Sequence, residues 1–249
     1  MYLMSRHEQL VYQETEPCPY LEDRMACMPL RWQLRSPTPE EFDESLSEGD
    51  RRIGRMLYRT QCPSCNACEP IRIPVNDFKS TKSQRKVLKK NLDIKVRVAQ
   101  AVFTEQRLHL YNRHKIERGL SKTERPMSKQ SYENWFLTSC ADTREFQYYV
   151  DGQLICVSIV DFGRLDLSSV YVYFDPDYSE RSLGTFSALY EMNWMRERGL
   201  RYYYLGLFVE DCVHLNYKSR FFPNERRINN HWYRFAHSRV KPADALLIS

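Results

Sequence analysis

Three regularly spaced cysteines are the strongest chemical signal in the chain. Cys62, Cys65 and Cys68 form a Cys-x2-Cys-x2-Cys run, and thiolates at such spacing suit tetrahedral zinc or an iron–sulfur cluster. Because the run supplies only three ligands, we expect Cys18 to be the fourth, with Cys27 as the next candidate. The alternative is a tight loop of three reduced thiols. The other cysteines lie in apolar contexts and are predicted core residues: Cys140, Cys156 and Cys212.

Basic residues are concentrated between Lys79 and Arg97, where the sequence has eight Lys or Arg and a single acid. We predict a helix over Ser83–Leu92 that presents these cations as a stripe. Such a stripe attracts polyanions, because its cations neutralise phosphates and release counterions. A merely solvated helix face is the alternative. The cations of this basic stripe are Lys82, Arg85, Lys86, Lys89 and Lys90.

The composition fits a folded chain. Of the 249 residues, 42% are hydrophobic and 13% aromatic, which is enough for a packed core, and the formal net charge is +5. The sequence shows neither a signal peptide nor a run near the ~18–20 apolar residues that span a bilayer. We therefore expect a cytoplasmic protein with no membrane partner, whose cysteines are reduced or bind metal rather than form disulfides.

The second half has the predicted order strand, strand, strand, helix, strand. Asp151-Gly152 suits a type I′ turn between strands at Phe146–Val150 and Leu154–Phe162. The elements predicted after this hairpin are Ser168–Phe174, Leu183–Arg198 and Arg201–Phe208. This order is typical of GNAT-type acyltransferases, in which a splayed central strand meets the acyl donor and the next helix points its N-terminus at the donor's phosphates. We therefore predict an α+β fold with a GNAT-like mixed sheet and flanking helices in the C-terminal half.

The first half is a smaller, cysteine-rich region, and we predict a domain boundary that separates residues 1–125 from residues 126–249. Thr38 can cap a helix that runs to Ser47, because Pro39 suits its first turn. Further helices are predicted over Thr104–Gly119 and Ser128–Ser139, and a short strand over Ile71–Val75.

Several of these segments resemble one family, the arginyl-tRNA–protein transferases, from about Cys18 to Phe235. In the second half the matching motifs are Val160-Asp161, Ser168–Tyr178, Ser182-Leu183-Gly184, Ser187-Ala188-Leu189, Tyr202–Gly206, Cys212 and Tyr217-Lys218. In the first half they are Cys18-Pro19-Tyr20-Leu21, Arg51-Arg52-Ile53-Gly54, Tyr58-Arg59, the cysteine run and Ser83-Gln84-Arg85-Lys86. The short chain and the cysteine run favour the bacterial branch, the aspartate/glutamate leucyltransferases.

The resemblance implies a reaction. An aminoacyl-tRNA donates its amino acid, in this branch leucine, to the α-amine of a protein that begins with Asp or Glu, and the new residue marks that protein for degradation. Aminolysis of an ester is downhill, so the transfer needs no cofactor. Arginine as the transferred residue remains open from the sequence. So do two other classes: a non-catalytic RNA-binding protein with a metal knuckle, and a CoA-dependent acetyltransferase, whose glycine-rich loop is missing at Arg181–Gly184.

The family motifs also nominate the residues of the reaction. Asp161 is expected at the end of a core strand where the sheet splays, and there it would orient or deprotonate the amine. Ser169, Tyr171 and Tyr173 alternate along one strand, so they are predicted to share a face and to bind the ribose or the ester carbonyl. The alternatives are a solvated carboxylate for Asp161 and ordinary strand residues for the tyrosines.

A substrate with an acidic side chain also needs a fixed cation. Lys218, in the family-like pair with Tyr217, is the first candidate and Arg72 is the second. An arginine can match a carboxylate with two hydrogen bonds, whereas a lysine is a point charge. A plain surface charge is the alternative for both. The resemblance thus implies Asp161 and Tyr171 as catalytic and Lys218, Arg72, Ser169 and Tyr217 as substrate-binding. It also implies that the basic stripe binds the acceptor stem of tRNA, because A-form RNA is recognised through its shape and phosphates. The predicted tRNA-binding residues are therefore Lys82, Arg85, Lys86, Lys89 and Lys90.

Overall fold

The structure is a computed structural model that describes residues 7–120, 125–237 and 244–248. It contains a nine-stranded mixed sheet, a four-stranded sheet and a two-stranded ribbon. The strands before residue 125 are β1 Glu8–Tyr12, β2 Thr15–Pro17, β3 Met25–Cys27, β4 Leu30–Gln33, β5 Arg51–Ile53, β6 Met56–Tyr58, β7 Glu69–Pro74 and β8 Lys95–Gln100. Those after it are β9 Asp142–Val150, β10 Gln153–Phe162, β11 Leu167–Phe174, β12 Tyr202–Phe208, β13 Asn224–Ile228, β14 His231–Phe235 and β15 Leu246–Leu247.

The large sheet has the strand order β15-β14-β13-β7-β12-β11-β10-β9-β8. Among the described strands, β11 and β12 are its one parallel pair. Two of its strands, β7 and β8, come from before residue 125. The chain therefore contributes strands to this one sheet from both sides of the predicted domain boundary. The boundary itself stays a prediction.

Local signals in the sequence start the helices. The side chains of Thr38 and Thr81 each accept a hydrogen bond from the backbone N–H three residues on. The side chains of Glu41 and Gln84 in turn accept one from the backbone N–H of Thr38 and Thr81, which completes two capping boxes. The helices are α1 Pro39–Ser47, α2 Lys82–Lys90, α3 Glu105–Glu117, α4 Lys129–Tyr132 and α5 Leu183–Arg196. The helix predicted over Ser128–Ser139 differs: α4 is a single turn and passes into a π-helical turn, Glu133–Leu137. Two 3-10 helices complete the set, Pro176–Arg181 and Asn216–Arg220.

Helices cover both faces of the large sheet. On one face α5 packs with Val87 and Leu88 of α2 over the largest apolar core, which includes Phe146, Ile155, Val160, Leu189 and Met192. On the other face α3, α4 and the π-helical turn cover a second core, which includes Leu110, Tyr132, Phe136, Val157 and Tyr173. Helix α1 packs on a third core with Leu57 and Trp232.

The predicted hairpin and fold class are confirmed. β9 and β10 pair antiparallel through Asp151 and Gly152, whose φ angles of 49° and 81° suit a type I′ turn. The mixed sheet with flanking helices is the α+β architecture that the element order predicts. In the described part of the chain, we find no helix with both the length and the apolar character to cross a membrane.

Candidate active site

The sheet opens between its two parallel strands. β11 and β12 pair only at Leu167 with Tyr203 and at Ser168 with Tyr204, and beyond these residues the strands part. Two register shifts lie beside the opening: β11 has an extra residue between Ser169 and Tyr171, and β12 shifts against β7 between Tyr204 and Gly206. Bulges bend strands and are frequent next to active sites. The result is a V-shaped opening, the candidate reaction centre.

The bulge in β11 corrects one prediction. Ser169 lies opposite Val160, which belongs to the core under α5, whereas Tyr171 lies opposite Ile159, which belongs to the core under α3. Ser169 and Tyr171 therefore point to opposite faces of the sheet, although strict alternation puts them on one face. Tyr171 and Tyr173 do share a face. The extra residue in the strand, Val170, is the physical reason.

Tyr171 lies among aromatic rings on the α3 face. Its ring centroid is 5.5 Å from that of Tyr111 and 5.8 Å from that of Phe136, and Lys115 Nζ is 6.0 Å away. Burial raises the pKa of the Tyr171 hydroxyl above its ordinary value. The hydroxyl therefore stays protonated at neutral pH, and it can donate a hydrogen bond but cannot act as a base.

Asp161 differs from its predicted position. It lies on β10 opposite Ser168, beside the paired end of β11 and β12 rather than in the opening. It is 0% exposed, and its two oxygens accept from Arg52 Nε at 2.6 Å and from Thr143 Oγ1 at 2.6 Å. Arg52 belongs to β5, so this buried ion pair ties the small N-terminal sheet to the large one. A catalytic role for Asp161 stays a prediction.

Arg51, which the sequence shows only as part of a motif, lies at the opening. Gly206 of β12 has φ of +86°, and a Cβ on it would lie 2.5 Å from Arg51 Nη1, so only glycine allows this approach. Among the described residues, Tyr20, Tyr58 and Cys68 contribute to the electrostatics of Arg51 and no carboxylate does. Arg51 is thus a cation without an acidic partner there, and it depends on long-range packing that sequence spacing does not reveal.

Lys218 is a second such cation. It lies in the 3-10 helix Asn216–Arg220, is 7% exposed, and donates from Nζ to the carbonyl oxygen of Leu207 in β12 at 2.7 Å. Burial and the charge of Arg51 hold the pKa of Lys218 well below its ordinary value. Its neighbour Tyr217 is 41% exposed. Lys218 is therefore buried beside Arg51 and not on the surface.

Arg72, the other predicted cation, already has partners. Its Nε lies 2.7 Å from Glu225 Oε2, and its Nη1 donates to the Tyr204 hydroxyl at 3.1 Å. The guanidinium stacks between the rings of Tyr202 and Trp232, at 3.8 and 4.0 Å from their centroids. Arg72 is neither a surface charge nor an unpaired one, and its pair with Glu225 joins β7 to β13.

The predicted basic helix is present as α2, and all five predicted tRNA-binding side chains are exposed: Lys82, Arg85, Lys86, Lys89 and Lys90. Lys90 Nζ donates to the carbonyl oxygen of Glu180 at 2.7 Å. Glu180 lies in the 3-10 helix that follows β11, so the basic face lies beside the end of β11 at which the sheet opens. RNA contact by these side chains stays a prediction.

The cysteines are neighbours. Burial first, and then Cys62, Cys18 and Cys65 in that order, raise the pKa of the Cys68 thiol to about 12. Cys62 Sγ lies 3.9 Å from the carbonyl oxygen of Cys27. Even so, within the described ranges no group of three His, Cys, Asp or Glu side chains is arranged to hold a metal ion. Metal binding stays a prediction.

Comparison with known proteins identifies the class. The family models described as "Arginine-tRNA-protein transferase" match residues 16–86 with the N-terminal model and residues 106–228 with the C-terminal model. An "Aspartate/glutamate leucyltransferase" of Marinobacter nauticus is 33% identical over 231 residues, 92% of this chain and 98% of that protein. One from Pseudomonas fluorescens strain SBW25 is 34% identical over 232 residues, with the same coverage. A crystal structure of FemX superposes with a TM-score of 0.43 at 10% identity, over 67% of this chain and 59% of that chain.

The family models and the sequence relatives define the chain as an enzyme, an aminoacyltransferase. It belongs to the arginine-tRNA-protein transferase family, among the relatives named aspartate/glutamate leucyltransferase.

Proposed function

We propose that this enzyme transfers leucine from leucyl-tRNA to the α-amine of proteins that begin with Asp or Glu, and that it acts in the cytoplasm, where the new N-terminus marks the product for degradation. The observation that carries the proposal is the match to relatives of that name, which extends over 98% of their length. The opening between β11 and β12 and the two unpaired cations beside it support it.

The reaction asks three things of the enzyme: to align amine and ester, to remove a proton from the amine, and to stabilise the oxyanion. A free α-amine has a pKa of ~7.7–8.0, so part of it is neutral at physiological pH. In our proposal Tyr171, kept protonated by burial, donates to the ester oxygen as negative charge develops there. Ser169, on the other face of β11, meets the amine.

Arg51 and Lys218 are the proposed readers of the acidic side chain. Both lie beside β12 at the opening, and neither has a carboxylate partner among the described residues. A bound carboxylate would give Lys218 the partner it lacks and so favour its charged form. Arg51 would add a planar donor pair. Arg72 has Glu225 instead, so we assign it a structural role.

Asp161 fits an indirect role in this arrangement. Its buried partner Arg52 follows Arg51 directly in β5. We propose that the pair fixes β5 and thereby holds the Arg51 guanidinium against Gly206. Removal of one partner from a buried ion pair costs ~3–5 kcal/mol, because the other charge stays buried and unpaired. The predicted roles for Tyr217, as a contact of the substrate, and for α2, as the surface for the acceptor stem, complete the proposal.

The test is transfer of a radiolabel. The purified enzyme is incubated with labelled leucyl-tRNA, arginyl-tRNA or acetyl-CoA and with matched peptides that begin with Glu or Gln. We expect label from leucyl-tRNA on the Glu peptide. Label from arginyl-tRNA instead would assign arginine as the transferred residue. RNA binding without any labelled peptide would favour the non-catalytic RNA-binding alternative and overturn the proposal.

A further inference from the structure

One buried carboxylate has no cationic partner among the residues that the structure describes. Glu191 of α5 is 0% exposed, accepts a hydrogen bond from the Tyr148 hydroxyl at 2.7 Å, and accepts a second from the Tyr203 hydroxyl. An ionised carboxylate in an apolar core normally needs a positive partner or several strong donors. Two other buried acids, Asp161 and Glu225, each have an arginine partner. In the described part of the chain, Glu191 has only hydroxyl groups as hydrogen-bond partners, so its place in the core calls for a reason besides stability.

Tyr203 connects this carboxylate to the opening of the sheet. It is the residue of β12 paired with Leu167, next to the Ser168–Tyr204 pair beyond which β11 and β12 part. Its hydroxyl interacts with Ser169 as well as with Glu191. Ser169 lies on the face of β11 that α5 covers and is partly exposed. A row of hydroxyl groups therefore leads from the opening to the buried acid.

We propose that Glu191 is a positioning residue of the transfer reaction: through Tyr203 and Ser169 it takes up the proton that the acceptor amine releases on attack. This inference rests on the proposed function. Tyr148 holds the other side of the carboxylate and is not on the path.

Each proton of the step passes from a named donor to a named acceptor. The amine nitrogen bonds to the ester carbonyl carbon, and the bond from that carbon to the ribose oxygen breaks. One amine proton passes to the Ser169 oxygen while the Ser169 proton passes to Tyr203 and the Tyr203 proton passes to Glu191. The ribose oxygen takes a proton from water, and Glu191 returns its proton to solvent along the same hydroxyls.

The surroundings of Glu191 suit a group that exchanges a proton near neutral pH. Burial raises its pKa to about 7, and the hydroxyls of Tyr203, Tyr148 and Ser158 limit the rise. These groups come from β12, β9 and β10, and Cys156 of β10 is the other titratable neighbour. In the described chain no Lys, Arg or His contributes to the pKa of Glu191.

The pH dependence of a single turnover tests the relay. Enzyme in excess over labelled leucyl-tRNA reacts with a Glu-initiated peptide between pH 5.5 and 8.5. In the wild type both the amine and Glu191 must lose a proton, so the slope of log rate against pH approaches 2 below about pH 6.5. In Glu191→Gln the slope stays at 1, and the rate at pH 8 falls by about 10²- to 10⁴-fold.

Two tyrosine variants separate the relay from core packing. Tyr203→Phe breaks the path and should reproduce the slope of 1, whereas Tyr148→Phe removes the other hydroxyl bond to Glu191 and should keep the slope of 2. Thermal unfolding shows that each variant is folded. A folded Glu191→Gln enzyme with the wild-type rate and slope overturns the proposal, as do equal losses at unchanged slope in both tyrosine variants. If the wild type transfers no amino acid at all, the proposed function fails instead.

Discussion

At the scale of single residues, the charged side chains of the site are of two kinds: those with an oppositely charged partner and those without one among the described residues. Arg52, Arg72 and Asp161 are buried in complete ion pairs and hold strands together. Arg51 and Lys218 have no such pair within the described residues. Burial of a cation without a counter-charge costs desolvation free energy that no ion pair in the folded protein offsets. The contrast therefore points to Arg51 and Lys218 as the groups kept for a ligand.

The first prediction concerns acceptor choice. Peptides that begin with Glu and Gln differ by one charge and little shape, so a fixed cation with a charge-assisted bond of ~1.5–3 kcal/mol separates them roughly tenfold to more than a hundredfold. We expect Arg51→Met and Lys218→Met to lower kcat/KM for the Glu peptide and to leave the Gln peptide little changed. The measurement is kcat/KM on both peptides.

Arg72→Met is the matched comparison for that experiment. It leaves Glu225 buried without its partner, so it should weaken folding and lower activity on both peptides alike. If the Arg51→Met and Lys218→Met variants keep the preference for Glu over Gln and only the Arg72→Met variant loses it, our assignment of these cations is wrong.

The second prediction concerns the pH dependence of stability. The pKa of Glu191 is raised from 4.5 to about 7 on folding, so the folded state binds this proton more tightly than the unfolded state. Its contribution is therefore fully present below pH 4.5 and is lost as pH rises to about 7. The Gln of Glu191→Gln cannot titrate. Between pH 5 and pH 8, the free energy of unfolding of this variant should therefore rise relative to that of the wild type by up to about 3 kcal/mol, at ~1.4 kcal/mol per pH unit.

Urea denaturation of both proteins at pH 5 and pH 8 measures that difference. Glu197→Gln, an exposed change at the end of the same helix, is the control and should show no such gain. A Glu191→Gln protein whose difference from the wild type is the same at both pH values would mean that Glu191 does not titrate in this range.

At the scale of elements, the opening is bordered by segments from distant parts of the chain. The end of β11 continues into the 3-10 helix Pro176–Arg181, which α2 contacts through Lys90. On the other side, β5 brings Arg51 onto β12. In our proposal the donor's phosphates and the acceptor's charge therefore meet different elements, so that each contact can be altered without the other.

The third prediction tests α2 as the tRNA surface. Charge reversal at both Lys86 and Lys89 should weaken binding of charged tRNA, because two phosphate contacts are lost, and should flatten the log–log salt dependence by about one to two units. The same reversal at Arg196 and Arg198, which are exposed at the C-terminal end of α5 and just beyond it, is the control. An unchanged salt slope in the Lys86 and Lys89 variant would exclude α2 as the tRNA surface.

The fourth prediction concerns the cysteine loop. Cys18, Cys62 and Cys65 lie near Cys68, and metal would convert the four thiols to thiolates. Protein prepared anaerobically without chelator should carry about one equivalent of zinc or of an iron–sulfur cluster, and Cys65→Ser should lose it. Elemental analysis is the measurement, with Cys140→Ala, outside the cluster, as the control. Protein with neither zinc nor iron would leave the cysteines as plain thiols.

At the scale of the whole molecule, one sheet unites both halves of the chain. β7 pairs with β12 and β8 pairs with β9, so strands from before residue 125 lie on both sides of the β9–β12 segment. Removal of the first half would expose two strand edges together with the apolar faces beside them.

The fifth prediction follows from that pairing. Residues 126–249 produced alone should show no cooperative thermal transition, whereas the full chain should melt in one. Circular dichroism during heating measures both. A cooperatively melting fragment would instead support the domain boundary predicted from the sequence.

Sequence signals that involve only a few neighbouring residues predicted the helices, turns and strands well. The Thr38 cap, the Asp151-Gly152 turn and the order of the last strands are all found as predicted. What the sequence could not predict depends on register and long-range contact. The bulge at Val170 moves Ser169 to the other face. Asp161 meets Arg52, and Arg51 meets Gly206, in each case across more than a hundred residues of sequence.

Glu191 was missed for the same reason. A glutamate in the middle of a helix usually belongs to a solvated face, and only the packing of α5 on the sheet shows that it is buried. Polar residues inside a core depend on partners distant in sequence, and such partners leave no periodic pattern.

The pairing of β7 with β12 has a consequence for how such enzymes change over generations. One wall of the opening, β11, is encoded in the second half of the gene, while the strand that supports the other wall is encoded in the first third. Recombination that replaces the first half therefore also replaces the neighbour that sets the line of β12 and the arginine against Gly206. The two halves have to be inherited as a matched set, and a change of substrate can begin in either one.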